Sequence, residues 1–258
     1  MLAAAMLLLA GCASMEADSD WWSVRAVGRG DDARLLSTSH VNHGKPRAGA
    51  TLAPRVLHEA SRGKVSISLQ HDAAIAGDWS GAAWKVAPEL DTALDWLERL
   101  AGPRGARMVV TLVDDAHAID VERSHPAGTP VVDLVVAVDG DAPSQSAQVG
   151  RALATALHEA AHALSVTGTA PQPTRFDDEY AAAMAESCYL LDTLRPGDVA
   201  SLNLAGRHAP TDNHAIRQSH AATGAVVREL RTLARADALQ GGDARALRAL
   251  RKRCASDR

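Results

Sequence analysis

Residues 153–166 read LATALHEAAHALSV and contain two histidines four positions apart, with a glutamate between them. On a helix, residues four apart lie one above the other on the same face. His158 and His162 can therefore direct their imidazoles at one point, and tetrahedral zinc accepts such a pair at two of its four positions. Glu159 is displaced by one residue, which predicts a carboxylate beside the metal that can accept a proton from a metal-activated water. The alternative is a solvated histidine pair on an alanine-rich helix.

The residues around this pair predict how the helix packs. Helical periodicity extends over about 144–167. One face is an apolar stripe that should pack on a sheet, and it consists of Val149, Leu153, Ala156, Ala160 and Leu164. A second face contains both histidines together with Arg151 and Thr155. The motif therefore lies in the middle of the helix, on the face that an active site requires.

The order of elements along the chain indicates the fold class. Apolar runs predict strands at 21–27, 64–72, 106–115 and 131–141, and helical spacing predicts further helices at 88–102, 175–194, 213–239 and 243–254. The polar stretch 29–63, which includes His40 and His43, is predicted to be extended or loop. Strands with one helix, followed by a run of helices, indicate an α+β fold rather than a βαβ repeat. We expect a small twisted sheet of three to five strands, with the 88–102 helix on one side and the histidine helix on the other.

The helix after the motif offers a third protein ligand, which a catalytic zinc site needs. Glu179 and Glu186 follow His162 by 17 and 24 residues. Between the two helices, TGTAPQP (167–173) contains a glycine and two prolines, which predict a turn that brings the second helix back antiparallel to the first. We prefer Glu179 as the ligand. Glu186, two turns later on the same face, is the alternative ligand or an outer partner of the site.

The His-Glu-x-x-His pattern at 158–162 and the stretch EYAAAMA at 179–185 resemble the gluzincin clan of zinc metallopeptidases. The resemblance covers about residues 105–195. It implies a zincin-like fold in which His158, His162 and Glu179 hold Zn²⁺. It also implies that Glu159 is the general base.

The resemblance extends to further residues near the site. Members of the clan often place a histidine or tyrosine from later in the chain over the substrate, which makes His214, His208 and Tyr180 candidate transition-state stabilisers. The chain departs from the thermolysin-like pattern at Ala183, four residues after Glu179. At that position an acidic residue orients the first histidine in those proteins.

The N-terminus has the pattern of a lipoprotein signal. Residues 2–10 form an apolar run that is too short to span a bilayer, and LAGC (9–12) follows it. LAGC resembles the bacterial lipobox, which implies a signal peptide at 1–11, lipidation of Cys12, and a tether at 12–20. The implied location is the cell envelope, at the outer membrane facing the periplasm. The alternative is a buried N-terminal helix. We expect residues 21–258 to form one domain, with a core at about 64–195 and a helical part at 196–258.

Export bears on the two remaining cysteines, Cys188 and Cys254. In an oxidising compartment they form either a disulfide or two separate thiols, because sequence alone does not show proximity. The net charge of −4 gives no indication of nucleic-acid binding. At the C-terminus, Arg245, Arg248 and Lys252 recur at helical spacing and predict a solvated basic face.

Two functions from different classes fit these patterns. The first is a membrane-anchored zinc peptidase that cleaves a peptide or protein in the envelope. An extended substrate could pair with the edge of the strand DLVVAVD (133–139) or MVVTLVD (108–114). The second is a non-catalytic envelope lipoprotein whose zincin-like fold is a binding or scaffold module.

Overall fold

The computed structural model describes residues 20–27, 34–41, 53–75, 77, 79, 81, 87–114, 131–138, 145–166, 175–193, 214–241 and 243–256, and for 20–41 only the backbone. The chain forms two compact units, Met1–Thr169 and Ala170–Arg258. The boundary falls between the two helices that contain the candidate ligands. The single-domain organisation stays a prediction.

The described part of the first unit contains one mixed sheet of six strands, in the order β1-β2-β6-β5-β4-β3. The strands are β1 (Asp20–Val27), β2 (Arg34–Val41), β3 (Pro54–Arg62), β4 (Val65–Asp72), β5 (Ala106–Asp114) and β6 (Val131–Val138). The hairpins β1–β2 and β3–β4 are antiparallel, whereas β2, β6, β5 and β4 are parallel to their neighbours in the centre. Five helices are described: α1 (Ala87–Ala101) and α2 (Gln145–Val166) in the first unit, and α3 (Arg175–Thr193), α4 (His214–Gly241) and α5 (Asp243–Ser256) in the second.

The α+β class is confirmed, but the sheet has more strands than expected. The stretch 29–63, predicted to be extended or loop, contributes the extended strands β2 and β3, which were not predicted as members of the sheet. His40 accordingly lies in β2, where it pairs with Trp21 of β1. The two extra strands are stabilised by pairing with neighbours in the sheet, and β3 is an exposed edge strand with a register shift between Val56 and His58. Such edges contain charged residues, proline and bulges, so their sequence resembles loop.

The prediction of which strands offer a free edge is also wrong. DLVVAVD and MVVTLVD correspond largely to β6 and β5. Each of these strands pairs on both sides, β6 with β2 and β5, and β5 with β6 and β4. Their backbone donors and acceptors are therefore already used by the sheet. The edges of the described sheet are β1 and β3.

Helices α1 and α2 lie on the same face of the sheet, not on opposite faces as predicted. α1 packs on β3, β4 and β5, α2 packs on β5 and β6, and the two helices contact each other. At Gly150 of α2, the Glu89 side chain of α1 lies against the backbone, since a Cβ atom there would be 2.9 Å from its Oε2. α1 covers only one half of the face. The other half is equally apolar, and α2 covers it.

The register of the central strands explains why the apolar side chains of the sheet must be covered by helices. On the face with Ile67, Leu69, Met108, Val110 and Leu134, every one of these side chains is at most 1 % exposed. The opposite face is buried as well, but it includes the polar side chains of Ser68, Thr111 and Asp133. Strands that are buried on both faces have nearly continuous apolar sequences, as the stretch 131–136 does with Asp133 as its one polar residue.

The second unit consists of α3, α4 and α5 in mutual contact. A disulfide joins Cys188 of α3 to Cys254 of α5, with their Cα atoms 5.5 Å apart. The Arg251 guanidinium of α5 donates hydrogen bonds to the carbonyls of Leu191 at 3.2 Å and Asp192 at 3.3 Å. Those carbonyls belong to the last turn of α3, which has no intrahelical donors for them. The C-terminal helix is thus bonded to α3 both covalently and through a helix cap.

Several predicted features lie outside the described residues: the signal peptide, Cys12 and the tether up to residue 19, His43, the 167–173 turn, and His208. No described helix combines the length and the apolar composition needed to cross a membrane.

Candidate metal centre

Helix α2 buries two of the three motif side chains. Glu159 and His162 are each 5 % exposed, and His158 is partly exposed. The predicted apolar stripe from Val149 to Leu164 is buried as expected. Burial extends further round the helix, however, to Ala152, Ala154, Leu157 and Ala161. A solvated histidine pair would require an exposed face, so this burial argues against that alternative.

The side chains of His158, Glu159 and His162 converge and form a group that could hold a metal ion. Their potential ligand atoms all lie within 4.8 Å of one another, and the described part of the chain contains one such group. The two Nε2 atoms are 3.2 Å apart. The imidazole rings meet edge to face, at an interplanar angle of 74° and a centroid distance of 4.9 Å. Helical spacing of four residues is therefore enough to direct both rings at one point.

The spacing of the two nitrogens fits a zinc ion. Two ligands at 2.0–2.1 Å from tetrahedral zinc lie about 3.3 Å apart. The observed 3.2 Å between the Nε2 atoms of His158 and His162 matches this value. The same distance also allows one imidazole to donate a hydrogen bond to the other, provided that the accepting nitrogen carries no proton. The two nitrogens are therefore close enough either to share a hydrogen bond or to bind one cation together.

The position of Glu159 allows two kinds of chemistry. Its carboxylate is buried, although it lies next to the partly exposed His158. Within the described part of the chain its Oε2 atom accepts no hydrogen bond, while the residue has other polar interactions. A carboxylate buried this deeply is costly unless positive charge compensates it. It can act as a metal ligand or, from beside the metal, as a base.

The candidate third ligands both lie on α3, in the second unit. Glu179 is 5 % exposed and Glu186 is partly exposed. Ala183, where an acidic residue would orient the first histidine in thermolysin-like proteins, is a buried alanine with no polar group to offer. Of the two glutamates, Glu179 is the more deeply buried.

Tyr180 belongs to a polar network within the second unit. Its hydroxyl donates a hydrogen bond to a carboxylate oxygen of Glu229 in α4, and the other oxygen of Glu229 accepts from Nε of Arg253 in α5. Burial raises the pKa of Tyr180, and the hydrogen bond and negative charge of Glu229 raise it further. Burial alone would raise the pKa of Glu229, but the hydrogen bonds from Tyr180 and Arg253 outweigh it and lower the pKa. Glu229 thus links Tyr180 of α3 and Arg253 of α5 to α4, and the network connects all three helices.

The other candidate stabilisers are less fully described. His214 is the first residue of α4, and the structure describes only its backbone. One residue near the site was not foreseen. Arg104, which ends a short 3₁₀ helix before β5, donates from Nη2 to the Leu164 carbonyl at 3.2 Å. Because Leu164 follows His162 by two residues, Arg104 fixes the end of the helix that contains the motif.

Comparison of the chain with protein-family models, with curated proteins and with solved structures finds no match.

Proposed function

We propose that the protein is a zinc-dependent metallopeptidase of the bacterial cell envelope, anchored to the membrane through Cys12. One observation carries the proposal: three side chains able to bind metal converge within 4.8 Å on a buried stretch of α2. Two imidazoles and a carboxylate are donors that zinc accepts readily. The order of the residues, His158, Glu159 and His162, is that of a metallopeptidase helix.

Each candidate residue has a separate role in the proposed reaction. His158, His162 and Glu179 would hold the ion, with Glu186 as the alternative third ligand. A bound zinc ion would lower the pKa of water to about 7 and polarise the scissile carbonyl. Glu159 accepts a proton from the attacking water and delivers it to the leaving amine. His214, His208 or Tyr180 would stabilise the oxyanion, although Tyr180 already donates its hydroxyl proton to Glu229.

The substrate is a peptide or protein of the envelope. Because β5 and β6 are internal strands, an extended substrate that pairs with the described part of the sheet would use β1 or β3. β3 contains Arg55, His58, Glu59 and Arg62 and has a register shift, which are features that discourage unspecific pairing.

Metal content and turnover of the Glu159→Gln variant test the proposal. Gln preserves the shape of the side chain and removes the basic oxygen, so about one zinc per chain should remain bound. Turnover should fall by about 10²–10⁴, as is typical for loss of a general base. A pool of denatured proteins is a suitable first substrate. Glu98→Gln, at an exposed position on α1, is the matched control and should change neither quantity.

The ligand variants distinguish the metal site from the base. His162→Ala and Glu179→Ala should each release zinc together with activity, and His58→Ala on β3 is the control for loss of a histidine. If Glu186→Ala releases the metal and Glu179→Ala does not, the third ligand is Glu186. A folded protein without zinc at neutral pH would remove the peptidase function. Bound zinc with turnover unchanged in Glu159→Gln would refute the mechanism, and zinc with no turnover in the wild type would favour the binding module.

The anchor is tested separately. Cys12→Ala should produce a protein that no longer partitions into the detergent phase, because the acylated side chain would be absent. Unchanged partitioning of this variant would contradict lipidation at Cys12.

A further inference from the structure

The C-terminal helix concentrates positive charge in an acidic protein. α5 contains five basic residues and one acidic residue, whereas the rest of the chain contains 22 basic and 30 acidic residues. The helix therefore has a net charge of +4, and the remainder of the chain has −8. Such segregation creates a local field of opposite sign to that of the whole molecule.

Three of the basic residues share one exposed face. Arg245, Arg248 and Lys252 are all exposed. At about 100° per residue, they fall within an arc of roughly 60° around the helix axis. The buried side chains of α5 are centred about 180° away, and they are Ala246, Leu247, Leu250 and Cys254. We call Arg245, Arg248 and Lys252 the basic face of α5.

The remaining two arginines hold the helix in this orientation. Arg251 donates to the carbonyls at the end of α3, and Arg253 pairs with Glu229 of α4. They flank the basic face on its two sides, and the Cys188–Cys254 disulfide fixes the opposite side. α5 therefore cannot roll about its axis without breaking a covalent bond or two polar contacts, and its basic face is a fixed surface of the second unit.

We propose that the basic face of α5 binds an anionic phospholipid surface. Its three cations lie along roughly 10 Å of helix, and no aromatic residue in α5 could stack on a nucleic-acid base. A long polyanion would extend beyond so short a strip and meet the net negative charge of the rest of the chain. Anionic lipid headgroups, by contrast, can diffuse within a bilayer and gather beneath as few as three positive charges. This inference does not depend on the metal centre and goes beyond the proposed peptidase function.

Vesicle binding by matched double variants tests the proposal. All chains are full length and contain Cys12→Ala, so an acylated cysteine cannot contribute. Vesicles of phosphatidylcholine alone are compared with vesicles that also contain phosphatidylglycerol. Each Lys or Arg near an anionic surface contributes about a fivefold factor in binding. Arg248→Gln with Lys252→Gln should therefore weaken the preference for anionic vesicles by roughly 25-fold, and added salt should weaken it in the wild type.

The control removes the same charge from another surface of the unit. Arg228 and Arg231 are exposed on α4, and replacing both with Gln should leave the preference unchanged. An equal loss in this control would refute the proposal, because net charge rather than the basic face would then govern binding. Equal binding of the wild type to both kinds of vesicle would also refute it. If soluble polyphosphate binds with the same dependence on Arg248 and Lys252 while vesicles do not, the partner is an anionic polymer instead.

Discussion

Removal of the Cys188–Cys254 disulfide should strongly destabilise the second unit. The bond closes a loop with a sequence separation of 66 residues. On the chain-entropy model, a loop of this length contributes about 4 kcal/mol to the free energy of unfolding. Domain stabilities are about 5–15 kcal/mol, so this one bond supplies a large share of the total. With a slope of roughly 2 kcal/mol/M, the unfolding midpoint in guanidinium chloride should fall by about 2 M.

The distribution of aromatic residues makes the two units separately observable. All five tryptophans lie within Met1–Thr169, and both tyrosines, Tyr180 and Tyr189, lie within Ala170–Arg258. Tyrosine absorbance therefore reports the second unit, while tryptophan fluorescence reports the first. Tyr189 is fully buried and follows Cys188 directly, so its absorbance should respond when the region of the disulfide unfolds.

Two forms of the protein distinguish the effect of losing the disulfide bond from the effect of losing the cysteine side chains. Reduction of the wild type leaves the cysteines in place, whereas Cys188→Ala with Cys254→Ala also removes two buried sulfur atoms. Both should lower the tyrosine-detected midpoint, and the double variant should be slightly less stable because of the cavity. Alkylation before and after reduction should differ by two labelled thiols per chain. An unchanged tyrosine transition in the reduced protein, or no difference in labelling, would refute the reasoning.

Two further predictions concern the first unit, and both use tryptophan fluorescence. Burial lowers the pKa of His71 from its usual value of 6.5, and a backbone hydrogen bond with Asp72 opposes this only partly. As the pH falls through about 6.5, the unfolded chain therefore binds a proton before the folded unit does. The free energy of unfolding should therefore fall with pH below 6.5, and less steeply in His71→Gln; identical profiles would contradict this. Gly105→Ala should cost more than about 3 kcal/mol, because φ is +76° and the new Cβ would lie 2.4 Å from the Lys64 carbonyl oxygen. Gly102→Ala, with φ +58° and open space, should cost only about 1 kcal/mol, and equal losses would exclude the backbone clash as the cause.

The helices could be predicted closely because their signals are local. Each of the five begins and ends within two residues of its predicted bounds. α1, for example, follows from leucines at helical spacing that end before Gly102, which adopts a positive φ. Capping and periodicity act within a few residues of chain, so a short window of sequence contains the information.

Strands β2 and β3 could not be recognised in the same way. β3 is largely exposed, and Val56, its most exposed apolar residue, is 57 % accessible, so the strand lacks the alternation that marks a half-buried strand. Its place in the sheet depends on pairing with β4. Likewise, the apolar stripe of α2 predicts that the helix packs on the sheet, but the helical periodicity does not indicate which of the two sheet faces it covers. That choice depends on how much of the face α1 leaves uncovered.

At the candidate site, too, contacts within one helix could be predicted and contacts between distant residues could not. His158 and His162 are brought together by one helix, so spacing predicts the 3.2 Å approach of their nitrogens. The network of Tyr180, Glu229 and Arg253 joins residues 49 and 24 positions apart. No motif relates those positions, and only the packing of three helices makes the contacts. The role of Arg104 at the end of α2 was missed for the same reason.

Within the described residues of α2, the motif is where close apolar packing and the burial of polar side chains conflict. Alanine and leucine surround Glu159 and allow the helix to pack closely, but a buried carboxylate among such neighbours is unfavourable without positive charge nearby. An alanine at this position would serve packing better, as it does at Ala156 and Ala160. Positions that break a local rule for stability are those where function is expected. Under the proposed function, a cation held by the nearby imidazoles of His158 and His162 would supply that positive charge.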